Sequence, residues 1–260
     1  MTGWGGVIAV AIAIALVLKT FIIGAIRVPS ASMENTLLPG DLVLIDKLVY
    51  GSTASGKLPF SESGFPDFRI PGLRSVGRGD VIVFRFPEEG NETRRPVYFV
   101  KRCIALGGDK VEVRRGVCYV NDDPVRLPEG VRPPSSRDIE DFGPIFVPAK
   151  GDSLRLTKLN YAKWEDVIRQ EGHDVECDPV RGVLIDGNPA KSYRIEKSYL
   201  FVMGDNAAHS YDSRSWGYLP EENVIGEAMV VYWSQRPAQE EDHPSGLASV
   251  RWGRIGNLVR

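Results

Sequence analysis

Two serines lie two positions apart in residues 28–41, VPSASMENTLLPGD, and either hydroxyl is a candidate nucleophile: Ser30 and Ser32. A serine hydroxyl attacks a carbonyl carbon only when a neighbouring base takes its proton. Histidine backed by aspartate is the usual base, and lysine serves when burial lowers its pKa toward neutrality. The segment therefore raises the question of which distant residue supplies the base.

A lysine in residues 97–106, VYFVKRCIAL, is one candidate base. The run of β-branched and aromatic residues predicts a strand, and alternate residues of a strand share one face. Phe99 and Cys103 then lie on the same face as Lys101, where apolar neighbours disfavour the charged ammonium. The alternative is a lysine on an edge strand with its amine in solvent.

A third polar cluster, GDNAAHSYDSRSWG, lies within residues 201–228 and follows an apolar run. Its density of short hydrogen-bonding side chains indicates a functional loop, and an ordinary polar turn is the alternative. The chain has three histidines, and only His209 has such neighbours, because His173 and His243 lie in charged surroundings. A Ser-His pair would therefore depend on His209.

Composition limits the other chemistry that this chain of 260 residues can perform. The net charge of −2 argues against nucleic acid as a partner. The three cysteines, Cys103, Cys118 and Cys177, form no CxxC pair, and with only three histidines they argue against a metal site. The cysteines allow either three thiols or one disulfide and one thiol. We expect no metal and no cofactor.

The most apolar stretch, residues 4–26, carries one charge, Lys19, and is long enough to span a bilayer as a helix. A buried core helix and a cleavable signal peptide are the alternatives, and the second lacks its positively charged start. The stretch therefore predicts an uncleaved, single-pass anchor. Lys19 and Arg27 lie at its far end, and by the positive-inside rule alone they would place the remainder of the chain in the cytoplasm.

Strand signals dominate beyond the anchor, in residues 41–51, 79–87, 97–106, 109–113 and, as a strand pair, 223–234. A long loop is expected over 52–78 and a helix over 160–172, closed by Gly172. Two similar hairpins flank this helix, so residues 114–196 are a candidate inserted subdomain. For residues 250–260, which mix arginines with apolar residues, a bilayer-surface segment and a packed terminal strand are both open.

Three of these stretches, PSASMENTL, VKRCIALGGDKV and GDNAAHSYDSRSWG, follow the apolar segment in this order. Together they resemble the successive motifs of bacterial type I signal peptidases, the leader peptidase family of Ser-Lys dyad serine proteases. The resemblance implies a mostly β fold with a catalytic β domain, 27–113 and 197–260. It implies an inserted β-rich cap subdomain at 114–196 and one N-terminal transmembrane helix at 4–26.

The resemblance also assigns roles to individual residues. Ser32, directly before the methionine of the first motif, matches the nucleophile, and Ser30 matches the serine of the oxyanion hole. Lys101 matches the general base, and Ser210 matches the serine that orients it. Four residues match positions that hold the catalytic loop together: Asp205, Asn206, Asp212 and Arg214.

Some positions depart from the family's pattern. Asn35 stands where the family usually has proline, and Ala207 and Ala208 replace an Arg-Asp pair. The lost charges concern loop ordering rather than proton transfer. His209 stands where the family varies, which favours its interpretation as a surface-loop residue.

The resemblance implies an endopeptidase that removes signal peptides from secretory preproteins. Its substrate is a leader inserted in the membrane and bound as an extended strand, cut after small residues. This places the catalytic domain on the extracytoplasmic side of the cell membrane, the inner or plasma membrane, against the charge rule. The alternatives are a Ser-Lys self-cleaving repressor-type protease and a non-enzymatic, membrane-tethered β domain.

Overall fold

The computed structural model describes residues 4–8, 10–11, 22–54, 68–86, 97–126, 141–237 and 246–260. Residues 4–8 and 10–11 are helical. Over these ranges, no helix has the length and apolar character needed to cross a membrane. The centre of the predicted anchor, 12–21, lies outside the described residues.

The end of the predicted anchor is a strand and not a helix. Ile23–Arg27 forms strand β1, which pairs antiparallel with β2, Asp41–Asp46. Exposure alternates along β1, with Gly24 and Ile26 half-buried, as in a strand that covers one face of a sheet. The prediction of helix through residue 26 is therefore wrong, because an apolar run does not by itself distinguish a helix from a strand.

The described chain is mostly β, as predicted. The other strands are β3 Gly51–Ala54, β4 Phe68–Pro71, β5 Val81–Arg85, β6 Tyr98–Leu106, β7 Lys110–Arg114, β8 Val117–Val120, β9 Asp123–Pro124, β10 Phe142–Phe146, β11 Ser153–Arg155, β12 Val175–Asp178, β13 Gly182–Ile185, β14 Asn188–Pro189, β15 Ser192–Arg194, β16 Tyr199–Met203, β17 Leu219–Pro220 and β18 Val224–Ser234. Helix α1 is Tyr161–Gln170, as the sequence predicts, and the short helix α2 is Ser213–Trp216.

A curled seven-stranded antiparallel sheet, in the order β1-β2-β18-β5-β6-β16-β17, is the main sheet. It gathers strands from three distant parts of the chain. β6 lies between β5 and β16, so both of its edges are hydrogen-bonded. β1 pairs with β2, and among the described residues no strand pairs with its other edge. The main sheet thus offers a rigid central strand and an edge strand, and a candidate catalytic residue lies on or just after each.

The described parts of residues 107–198 form sheets separate from the main sheet. Their orders are β10-β7-β8-β9, β11-β15 and β12-β13-β14. β7, which the sequence prediction placed with the catalytic domain, pairs with β8 and β10. One hydrophobic core joins the two regions, since Phe201 of the main sheet packs in the same cluster as Val111 and Ile168. The second region therefore rests directly on the main sheet.

Two further expectations fail. The predicted strand pair at 223–234 is the single strand β18. Its glycine, Gly226, makes no turn: a Cβ there would collide with the carbonyl of Asp46 on β2, so the residue permits close approach of two strands. The long loop expected at 52–78 contains the paired strands β3 and β4.

Candidate active site

Ser32 lies in a single 3₁₀ turn, Ala31–Met33, shortly after the edge strand β1. Met33 is 1% exposed and anchors this turn in the core. The base of the loop is closed by two backbone bonds, from Val28 N to the carbonyl of Asp41 (2.8 Å) and from Gly40 N to the carbonyl of Val28 (2.9 Å). Core packing and loop closure thus present the turn with its serines outward.

Ser30 and Ser32 are close enough for their hydroxyls to form a hydrogen bond. Their Oγ atoms lie 3.3 Å apart. The Ser30 hydroxyl can therefore donate a hydrogen bond to the carbonyl oxygen of a peptide that Ser32 attacks. The spacing of two residues, with an extended backbone at Ser30, brings the two side chains together.

Lys101 lies in β6 and is 3% exposed. It pairs with Ile82 of β5, and its Nζ lies 6.0 Å from the centroid of the Phe99 ring. Its Nζ donates a hydrogen bond to Ser210 Oγ at 3.0 Å. The Lys101 amine therefore lies on the apolar face that strand alternation predicts. The edge-strand alternative is wrong, because β6 is paired on both sides.

Burial lowers the pKa of Lys101 to about 8. Desolvation is the largest cause, because the charged ammonium loses water in this setting. The carboxylates of Asp212 and Asp205 oppose the shift, and Arg214 adds to it. With this pKa, the Lys101 amine is neutral in roughly a tenth of the protein molecules at pH 7. Lys101 can therefore accept a proton near neutral pH.

Gly204 lies between Ser32 and Ser210, and its lack of a side chain lets the loop that carries Ser210 pack against the turn that carries Ser32. A Cβ at this position would collide with the backbone carbonyl of Ser32 and with Ser210 Oγ. Two bonds from Asn206 fix the same contact, from its N to the carbonyl of Ser32 (3.1 Å) and from its Nδ2 to the carbonyl of Ala31 (3.2 Å). The loop after β16 is thus fastened directly to the turn that carries Ser32.

Asp212 and Arg214 brace this loop from within. Asp212 is fully buried, and its carboxylate accepts from Arg214 Nε (2.8 Å) and Nη2 (2.8 Å) and from Gly204 N (3.1 Å). Arg214 Nη2 also donates to the carbonyl of Ala207 at 2.6 Å. Ala207 itself is buried in the core shared by the two regions.

Arg102, the neighbour of Lys101 on β6, is a supporting residue that the sequence analysis missed. It is 2% exposed and binds Asp205 through Nε (2.8 Å) and Nη2 (2.7 Å). Thr36 Oγ1 donates to the same carboxylate at 2.5 Å. The sequence held one sign of this ion pair: an arginine inside a predicted strand with apolar neighbours, where a charged side chain requires a partner.

A cavity of about 310 Å³ brings the separated motifs together. Ser30, Ser32 and Lys101 line it. Ser210 is hydrogen-bonded to Lys101 and so lies next to the cavity. Its walls are otherwise mostly apolar: Val28, Pro29, Met33, Tyr98, Phe99, Val100, His209 and Tyr211 complete the lining. The cavity therefore has room for small side chains next to a hydroxyl and a buried amine.

His209 is exposed, in keeping with a surface-loop residue, and it also lines the rim of the cavity. Its Nδ1 lies 3.4 Å from Asn206 Oδ1. His173 pairs with Asp186 (2.7 Å), and this bond is the main cause of its raised pKa. His173 is absent from the cavity lining.

None of the three cysteines is among the described residues that line this cavity. Cys103, Cys118 and Cys177 are free thiols, and burial raises the pKa of Cys103 and of Cys118 to about 12. In the part of the chain with described coordinates, no three His, Cys, Asp or Glu side chains are grouped to hold a metal ion.

Comparison with known proteins identifies the family of this chain. The family model described as signal peptidase, peptidase S26, matches residues 1–233. Signal peptidase I of Aquifex aeolicus (strain VF5) is 30% identical over 247 residues, which cover 91% of this chain and 86% of that protein. Signal peptidase I of Helicobacter pylori (strain ATCC 700392 / 26695) is 29% identical over 279 residues, covering 99% and 91%. That of Buchnera aphidicola subsp. Schizaphis graminum (strain Sg) is 27% identical over 261 residues, covering 94% and 78%. Because the family model covers most of the chain, the chain belongs to the signal peptidase family, peptidase S26, and is a serine endopeptidase.

Proposed function

We propose that this enzyme is a membrane-anchored signal peptidase I in which Ser32 is the nucleophile and Lys101 is the general base. The observation that carries the proposal is a buried lysine with a pKa of about 8 that lines the same cavity as Ser32. A self-cleaving repressor-type protease and a non-enzymatic β domain are less well supported, because the family match extends over most of the chain.

In the proposed mechanism, neutral Lys101 takes the proton of Ser32 Oγ as that oxygen attacks the carbonyl carbon of the scissile peptide. The carbonyl oxygen becomes an oxyanion, which the Ser30 hydroxyl and the Ser32 backbone N–H stabilise by about 3 kcal/mol each. The lysine ammonium then protonates the leaving amine of the mature protein, and the leader remains as an ester on Ser32. Lys101 next removes a proton from water as the water attacks the ester carbonyl carbon. The Lys101 ammonium then returns this proton to Ser32 Oγ as the ester C–O bond breaks and the leader leaves with a free carboxyl group.

Ser210 has a positioning role in this scheme. Its Oγ accepts a hydrogen bond from Lys101 Nζ at 3.0 Å, which fixes the direction of one of the amine's N–H bonds. The lone pair of the neutral amine is then free to face the cavity. Asp205, Asn206, Asp212 and Arg214 hold the loop that carries Ser210 in place.

We also propose that residues 4–22 belong to the single-pass anchor. The catalytic region would then lie outside the cytoplasm, at the surface of the cell membrane. The apolar stretch leads into β1, which begins nine positions before Ser32. A leader inserted in the same bilayer would emerge within reach of this serine. Protease added to the outside of intact spheroplasts should then digest the catalytic region, and protection until lysis would contradict this topology.

Cleavage of a preprotein by the purified full chain in detergent tests the proposed catalysis. Wild-type protein should release the mature product, and Ser32→Ala should release none because no hydroxyl remains to form the ester. Ser192→Ala, which removes an exposed hydroxyl in the second region, is the matched control and should keep full activity. Unchanged cleavage by the Ser32→Ala protein would sink the assignment.

A further inference from the structure

Residues 246–260, here called the C-terminal segment, lie beyond the region matched by the family model, which ends at residue 233. The segment is attached to β18: Val231 N donates to the carbonyl of Asn257 (2.9 Å), and Arg251 N donates to the carbonyl of Ser234 (3.0 Å). It thus packs as a terminal extension of the main sheet, although Trp252 remains 61% exposed. From β18 the segment reaches the loop that follows Ser32.

Asp41 is the main contact between this segment and that loop. It is 0% exposed, and its carboxylate accepts hydrogen bonds from Ser234 Oγ (2.6 Å) and Leu38 N (2.9 Å). Arg254 Nη2 donates to it at 2.6 Å and also to the carbonyl of Thr36 at 3.0 Å. One guanidinium therefore compensates a buried charge and holds the loop backbone at the same time.

Two more contacts join the segment to the site. Arg251 Nη1 donates to the carbonyl of Pro39 at 2.9 Å. On the other side, Arg102 Nη2 donates to the backbone oxygen of Arg260 at 3.0 Å, and the same nitrogen binds Asp205. The segment therefore touches both the loop that follows Ser32 and the ion pair beside Lys101.

The loop between Ser32 and β2 has a reason to need outside support. Asn35 adopts a φ of +93°, a backbone conformation that L-residues other than glycine rarely take and that is strained. Such a conformation persists only when its surroundings hold it. The bonds from Arg254 and Arg251 supply this support at Thr36, Pro39 and Asp41.

We infer that the C-terminal segment is a clamp that positions Ser32 for reaction, with Arg254 as its principal positioning residue. This inference rests on the proposed function, since it takes Ser32 as the nucleophile. None of the described residues that line the cavity belongs to the clamp. It acts by holding residues 33–41, and thereby the turn that carries Ser32, against β18 and the neighbourhood of Lys101.

Steady-state kinetics on a preprotein test the clamp in the full chain. Arg254→Gln should lower kcat by about 10-fold to 100-fold with little change in KM, because small misplacement of a reacting group costs about this much. Arg254→Lys should recover part of the loss. Arg236→Gln, which removes an exposed positive charge just before the segment, is the matched control and should retain wild-type kcat.

A second variant guards against simple misfolding. The pair Asp41→Asn with Arg254→Gln removes the fully buried carboxylate together with its main guanidinium partner, and Arg251, 3.7 Å from Asp41, is partly exposed. The double variant still weakens the clamp, so it should fold and still show the lower kcat. A kcat per folded molecule equal to wild type in this pair, with only a lower Tm, would mean that the contacts serve stability alone and would overturn the inference.

Hydrogen exchange separates this inference from the proposed catalysis, because it needs no activity. In a Ser32→Ala background, Arg254→Gln should speed exchange of the amides in residues 33–41, while β6 and β16 keep their protection. Equal exchange in that loop with and without Arg254 would refute the clamp, whatever Ser32 does. A wild-type protein that fails to cleave any preprotein would refute the proposed function instead.

Discussion

Lys101 and Ser32 are held in opposite ways. Lys101 lies on a central strand with a hydrogen-bonded neighbour on each side, and its surroundings remove water from the amine. Ser32 lies in a loop after an edge strand, partly exposed, and its position depends on contacts from residues far along the chain. The difference follows from the chemistry, because a lysine base needs burial to shed its proton, while a nucleophile must remain open to substrate.

Substitution of the central strand's lysine should have the largest effect. Lys101→Ala removes the base and Lys101→Arg keeps a charge that cannot be lost, so cleavage should fall by about 10²- to 10⁴-fold in each. Lys101→Ala should keep or raise the free energy of unfolding, because a costly buried amine is gone. Activity and urea denaturation of the same preparations measure the two effects.

His209→Ala is the control for this prediction and should retain most of the rate. Survival of activity in Lys101→Ala together with its loss in His209→Ala would show that histidine is the base. The base would then be a solvent-accessible residue like the nucleophile, and the contrast in burial between Lys101 and Ser32 would have no catalytic role.

An intermediate effect is expected where the turn that carries Ser32 meets the loop after β16. Gly204→Ala forces apart the carbonyl of Ser32 and the hydroxyl of Ser210, so it should cost about 1–3 kcal/mol of stability and lower kcat by about 10²-fold. Gly77→Ala, where a Cβ would make only ordinary contacts of 3.4 Å or more, is the control. Equal kcat for the two variants would show that this approach of the loops is unimportant.

The smallest effect is a shift of the pH profile. The rate should rise as pH approaches the Lys101 pKa of about 8 and level off above it, because only the neutral amine accepts a proton. Asp212 raises this pKa and Arg214 lowers it. Asp212→Asn should therefore move the midpoint of the profile to lower pH, and Arg214→Gln should move it to higher pH.

Profiles of kcat/KM, each normalised to its own plateau, measure the midpoints independently of any loss of folded protein. Midpoints that stay in place in both variants would mean that the loop charges do not act on the base. The burial of β6 alone would then set the pKa.

The sequence predicted the parts of the site that depend on local pattern. The alternation of residues around Lys101 indicates its apolar face, and the three motifs identify the loops. The Arg102–Asp205 pair was not predicted, since its members are 103 positions apart and only the folded sheet joins them. Hydropathy also could not locate where β1 begins, because Ile23 and Ile26 suit a half-buried strand as well as a helix.

The shared core of the main sheet and residues 107–198 has an evolutionary consequence. Ala207, in the loop that carries Ser210, is packed in the same core as Val111 and Ile168 of the second region. That region is therefore not a module that can be exchanged freely. A transplant of residues 107–198 between relatives would replace the surface on which the catalytic loop rests, so changes in this region and in Ala207 are expected to be inherited together.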